Sequence, residues 1–233
     1  MSSLYVTLAI YRGVLIRAAT LSLESWPVFA TVFAYFAAFT GAAIVLAPLG
    51  LVGGLLLGLI QAACLSSFLH LVEQIVRGSR LTVQDFGRSF GAYLWDVIGV
   101  LFLVWIVQRL LLPVVLSTPQ GLAIFVSIQL VAFVLFNAVP ELIYLGHHSL
   151  FELLGESYRF ITENWIEWFP PNILLGAGMF LLLTIEAPGI LGFAVLALVS
   201  LYLYFAMVAR GLLFLELNGT TRRSREFRYR SGS

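Results

Sequence analysis

From about residue 28 to residue 209 the chain is a succession of long apolar runs separated by short polar interruptions. Crossing a hydrocarbon core roughly 30 Å thick as a helix takes about 20 mostly apolar residues, each advancing the axis about 1.5 Å. Six runs fit that description: residues 28–47, 49–69, 97–118, 122–139, 172–186 and 189–209. The fifth is short and bounded by Pro170, Pro171 and Pro188, so it reads either as a tilted span or as a re-entrant segment.

Arg109 is the one charge that challenges a span, at about +2.5 to +3.5 kcal/mol for an arginine at the centre of a helix. The Val, Ile, Leu and Phe residues of the same run contribute about −5 to −9 kcal/mol, so insertion wins. Pro113 lies four residues further on and removes the helical partner of the Arg109 carbonyl, which predicts a kink.

The interruptions have patterns of their own. In the second, Phe86, Phe90, Tyr93 and Leu94 share a helical face while Asp85, Arg88 and Ser89 point elsewhere. In the third, Glu152, Glu156, Arg159, Glu163 and Glu167 follow steps of four and three and form one stripe, with Leu150, Leu153, Leu154, Phe160, Ile161, Trp165 and Trp168 on much of the rest of the helix. Leu4, Leu8, Tyr11 and Leu15 give the N-terminal stretch a similar apolar face. These segments are expected to lie in the membrane interface.

Composition narrows the class. The 233 residues are 61% hydrophobic and 11% charged, where soluble domains carry about a quarter charged residues. A water-soluble globular protein is excluded. The net charge of +1 gives no bulk attraction to nucleic acid, and the single Cys64 supports neither a disulfide framework nor a cysteine metal cluster.

Arginine placement predicts sidedness, because short loops rich in basic residues stay cytoplasmic. Arg12 and Arg17 precede the first span; Arg77, Arg80 and Arg88 separate the second from the third; and Arg159 separates the fourth from the fifth. Arg222, Arg223, Arg225, Arg228 and Arg230 follow the sixth, whereas the turns at Pro48, Pro119 and Pro188 have none. Both termini are therefore expected in the cytoplasm, with the first span a retained anchor rather than a cleaved signal.

Trp26, Trp95 and Trp165 lie 69 and 70 residues apart, and Pro48, Pro119 and Pro188 lie 71 and 69 apart. Two readings are open. Any six-span protein places Trp at interfaces and Pro in turns; alternatively, the chain is a threefold repeat of interfacial helix, span, turn and span. The expected architecture is all-α: a polytopic transmembrane bundle of six spans in three hairpins. It forms one domain over residues 1–217, with repeat units 1–77, 78–146 and 147–217 and a basic tail at 218–233.

Two constellations are candidates for function. Arg109, Gln129 and Asn137 are the deepest polar residues, serving either as glue between helices or as the lining of a path. The stripe Glu152, Glu156, Arg159, Glu163 and Glu167 is either a docking face for a basic segment or the solvated side of an interfacial helix. The arginine tail is read first as the topology anchor, with the acidic stripe or anionic headgroups as its other readings. His147, His148 and Glu152 are too few for a closed metal site. No phosphate-binding loop, zincin motif or nucleophile elbow occurs. No cofactor and no enzymatic activity are therefore expected.

The run at residues 139–165, VPELIYLGHHSLFELLGESYRFITENW, carries a span ending at Pro140, then Ser157 and Arg159 on an amphipathic segment, then Asn164 before the next span. In this it resembles prokaryotic six-helix membrane proteins related to the membrane domain of some glycerophosphodiester phosphodiesterases. The resemblance does not extend to a phosphodiesterase domain, so no catalytic residue carries over. It implies a six-span bundle in the bacterial inner membrane. The leading expectation is a non-enzymatic scaffold or accessory subunit whose partners are the bilayer and other membrane or cytoplasmic subunits. The alternative is a transporter of small solutes or lipids.

Overall fold

The computed structural model describes residues 3–79, 83–146 and 149–220, together with Ser224 and Phe227. Arg80, His147, His148 and the tail residues Arg222, Arg223, Arg225, Arg228 and Arg230 lie outside the described residues. The elements are helical throughout: α1 (Ser3–Glu24), a 3-10 turn (Trp26–Phe29), α2 (Ala30–Leu46), a second 3-10 turn (Ala47–Leu49) and α3 (Gly50–Val76). Then follow α4 (Val83–Ala92), α5 (Leu94–Leu116), α6 (Gly121–Leu135), α7 (Val139–Leu145), α8 (Leu150–Leu183) and α9 (Ile190–Leu217).

Among the described residues, six helical stretches are long and apolar enough to cross a membrane: Tyr5–Glu24, Trp26–Val76, Asp85–Val115, Gly121–Leu145, Leu150–Leu183 and Ile190–Leu217. The all-α, multi-pass architecture expected from the apolar runs is therefore present. The second stretch has 51 residues, roughly 76 Å of helix and more than twice the hydrocarbon thickness. Pro48 and Gly50, the latter at φ +56, divide it into α2 and α3. A Cβ at Gly53 would overlap the Leu46 carbonyl oxygen, so the turn tolerates only glycine there. Gly189, at φ +61, opens α9 in a similar way.

The chain divides into two compact units. One comprises Met1–Ala37, Leu71–Thr82 and Asn164–Ser233; the other comprises Ala38–His70 and Val83–Glu163. In the first unit α1 packs along α9. Tyr11, Val14 and Leu15 share a cavity wall with Ala209, Arg210 and Leu213, while Ala19, Ser22 and Leu23 line a groove with Leu198, Leu201 and Phe205. As α1 advances α9 recedes, so the two run antiparallel over most of α1. Val6, Ile10, Ala18 and Ser22 are buried, so α1 is packed against the protein, α9 included, rather than isolated at its surface.

In the second unit α5 and α6 pack on each other across the Ser117–Gln120 turn, and α4 packs on α5. Burial is uneven in both units. It concentrates in Ala62–Val76 of α3, in α7, in Leu153–Trp168 of α8 and in Ser200–Leu217 of α9. By contrast α2 buries no residue and its Phe36, Phe39 and Ile44 are exposed. Exposed apolar surface is destabilising in water but compatible with lipid tails, which are as apolar as leucine.

Where the helices break or contain proline, side-chain hydroxyls from neighbouring helices take over the interrupted backbone hydrogen bonds. Between α4 and α5 the helical bond from the Tyr93 N–H to the Ser89 carbonyl is opened by Ser66 of α3. Its hydroxyl accepts from the Tyr93 N–H at 2.9 Å and donates to the Ser89 carbonyl at 3.2 Å. Ser67 and Ser89 share a further hydroxyl hydrogen bond at 2.5 Å.

The expected span at 122–139 breaks after Leu135 because Pro140 has no N–H for the Phe136 carbonyl. The Val139 N–H takes that carbonyl at 3.2 Å, and the Leu135 carbonyl thus released accepts the Ser157 hydroxyl at 3.0 Å. In α8 the helix runs through Pro170 and Pro171, joining the expected interfacial helix and fifth span into one element. Pro171 leaves the Glu167 carbonyl without its helical donor, and the Tyr11 hydroxyl donates to it at 2.9 Å.

Candidate functional site

The two candidate constellations occupy different elements. Arg109 projects from α5 in an exposed position, its guanidinium carbon 5.9 Å from the centre of the Trp105 ring one helical turn earlier. Gln108 beside it is exposed. Gln129 on α6 is half-buried, as is Asn137 in the break before α7. Counting outward from the turn, Arg109 and Gln129 stand about ten residues down each arm of the α5–α6 hairpin and share a depth of roughly 15 Å. Asn137 lies about 12 Å further along α6. The hairpin brings the first two to one level and leaves the third apart.

The acidic stripe is built on α8, and its members have distinct surroundings. Glu152 caps its own helix: its Oε2 accepts from the Ser149 N–H at 2.8 Å, the reciprocal half of a capping box. Arg159 pairs with Glu156 at 2.7 Å, with both side chains partly exposed. Glu163 is exposed. Glu167 is buried. With about 100° of rotation per residue, the stripe turns by about 60° between Glu152 and Glu167. That rotation carries its last member onto the packed face formed by Leu153, Ser157, Phe160, Ile161, Asn164 and Trp168. The exposed part of the stripe is thus three carboxylates and one guanidinium.

The sequence reading did not single out Ser66 and Ser67, which are fully buried, as are Ser89, Glu141 and Ser157, with Asn164 nearly so. Arg210, at the foot of the sixth apolar run, stacks its guanidinium carbon 5.3 Å over the Trp168 ring, which in turn meets Phe214 edge-on. The signal available in the sequence was the placement of small hydroxyl residues near prolines and helix ends. It becomes meaningful only once partner helices are known.

Among the described residues, cavities large enough for a small molecule include the following two. One of about 520 Å³ lies at the ends of α1 and α3, bordered by Glu24, Ser25, Gly78 and Ser79 with apolar neighbours. The other, of about 430 Å³, is an apolar groove along α1 and α9 near Leu182 of α8. Neither is lined by Arg109, Gln129 or Asn137. Among the described residues no three His, Cys, Asp or Glu side chains converge on a metal-sized site.

Comparison with family models, with curated proteins and with solved structures finds no match. Nothing in those comparisons links the chain to the membrane domain of glycerophosphodiester phosphodiesterases.

Proposed function

We propose that this chain is a non-enzymatic scaffold or accessory subunit of a larger membrane complex, in the bacterial inner membrane with both termini in the cytoplasm. The observation that carries the reading is the exposure of Arg109 beside Gln108 in the interior of the apolar helix α5. Charged groups at membrane depth are costly and usually face protein rather than lipid. A second subunit offering a carboxylate or amide at that depth satisfies Arg109. The acidic face of Glu152, Glu156 and Glu163 adds a docking surface for a basic cytoplasmic segment.

Purification from native membranes in mild detergent tests this. The expected result is a stoichiometric partner for the unmodified chain. Arg109→Leu should insert normally and lose that partner. Recovery of the same monomer from both chains would overturn the reading. The shared depth of Arg109 and Gln129 favours a second reading, a transporter of small solutes or lipids with those residues on its path. Reconstituted vesicles showing solute or lipid flux that Arg109→Leu abolishes would establish it.

A further inference from the structure

Trp105 stands at the centre of α5, eleven residues from Leu94 and eleven from Leu116, roughly 16 Å of helix either way. Side chains on a helix lean toward its N-terminus. Arg109 does so: its guanidinium turns back over the Trp105 ring rather than reaching for the nearer end at Leu116. The charge is therefore held near the middle of a helix about as long as the hydrocarbon core is thick. Among the described residues Arg109 has no ion pair and no hydrogen bond, and it is exposed. Phe102 stacks on the same indole at 6.1 Å. With Leu112 these residues form one exposed stripe, about 80° wide on the helix. It combines apolar packing surface with a single cation whose donors are all unspent.

Three sources of negative charge come into question. Lipid phosphates lie at the headgroup level, half a bilayer from Trp105. A second copy of this chain has no carboxylate to offer at that depth. Asp and Glu are absent from residues 25–72, 97–140, 168–185 and 187–215, and Glu24 closes α1 beside Gly78 and Ser79, in the loop after α3. The third source is a transmembrane helix of a different protein with an acid inside its own apolar run. An amide there would accept hydrogen bonds but leave the charge uncompensated in a medium of low dielectric. A carboxylate does both, and its two oxygens match the guanidinium fork. Each charge is costly alone at this depth, so pairing relieves both helices.

Resting on the scaffold reading, we propose that the stripe Phe102, Trp105, Arg109 and Leu112 is the interface for one transmembrane helix of a different subunit. That helix carries an Asp or Glu near its midpoint, and the carboxylate pairs with Arg109.

The test uses the full chain in native membranes with a photo-crosslinking amino acid at Leu112 or at Val107, which lies about 160° around the helix from Arg109. Crosslinked peptides are sequenced by mass spectrometry. Crosslinking from Leu112 should exceed that from Val107 and should identify an apolar helix of another protein with Asp or Glu near its middle. Arg109→Gln should weaken the association about thirtyfold or more, the effect of leaving one charge of a desolvated pair alone. Converting the partner's carboxylate to its amide should do the same. Arg109→Asp costs no more to insert than arginine. It should lose the partner, and regain it when the partner's carboxylate is replaced by arginine.

A crosslinked helix without a carboxylate would overturn the proposal, as would crosslinking to a second copy of this chain or to lipid alone. A partner still bound after Arg109→Gln would overturn the pairing and leave the scaffold reading standing, whereas a chain recovered with no partner would overturn both.

Discussion

Tyr11 donates its hydroxyl to a carbonyl 156 residues away, and the loss of that one oxygen is measurable. Tyr11→Phe keeps the ring and removes the donor to the Glu167 carbonyl. It should destabilise the protein by about 1 kcal/mol, the net worth of a hydrogen bond in a membrane or protein interior. Thermal unfolding in detergent reads the effect as a lowered midpoint. Ser66→Ala should be worse, because it strands both the Tyr93 N–H and the Ser89 carbonyl in a buried position. The expected cost is about 1–3 kcal/mol. An unchanged midpoint for Ser66→Ala would mean that α4 and α5 rejoin into one continuous helix without it. The candidate residues were legible to different degrees at this scale. Arg109 stood out because a charge inside an apolar run is visible in any window of sequence. The burial of Glu167 did not, since it depends on how far a stripe rotates before the helix meets its neighbour.

That the chain is built of long apolar helices was legible in the apolar runs, because about 20 residues and a proline or glycine near each end are local facts. The lengths were less so, since the expected span at 122–139 ends at Leu135 and the run at 172–186 belongs to the 34-residue α8. What the sequence did not reveal is which prolines end a helix and which are absorbed by one. Pro140 and Pro171 have the same intrinsic defect, a missing N–H. At Pro140 the helix breaks, and Ser157 takes the carbonyl left over; at Pro171 it continues, with Tyr11 in place of the missing donor. The difference is set by partners distant in sequence, which no local window contains. A double-mutant cycle tests the account of α8. Pro171→Ala restores a backbone donor to the Glu167 carbonyl, so Tyr11→Phe should cost much less in that background than in the unmodified chain, with a coupling of about 0.5–1 kcal/mol. Additive effects would show that the Tyr11 hydroxyl acts elsewhere.

For the molecule as a whole, the packing of α1 along α9 bears directly on sidedness. The proposed sidedness, with both termini in the cytoplasm, requires α1 to enter the bilayer only partway, because Arg12 and Arg17 sit on its exposed side. After Cys64→Ala, single cysteines at Ser3 and Ser224 should resist an impermeant thiol reagent in intact cells and react after lysis. Labelling of the Ser3 position from outside would mean that α1 crosses completely and the arginines of α1 do not set its orientation. The threefold repeat, which we retain as a proposal, predicts that the three tryptophan-to-proline segments play equivalent parts in this topology. The absence of any buried residue in α2 has a consequence of a different kind. A helix with no shape to match needs only grease and length, so its letters should be nearly interchangeable. Rewriting Phe36, Phe39 and Ile44 as leucines should leave yield and melting behaviour intact, whereas the same licence taken in α7 would ruin the fold. Mutational freedom in this chain is thus expected to run along the membrane normal, wide at one end of the helices and narrow at the other.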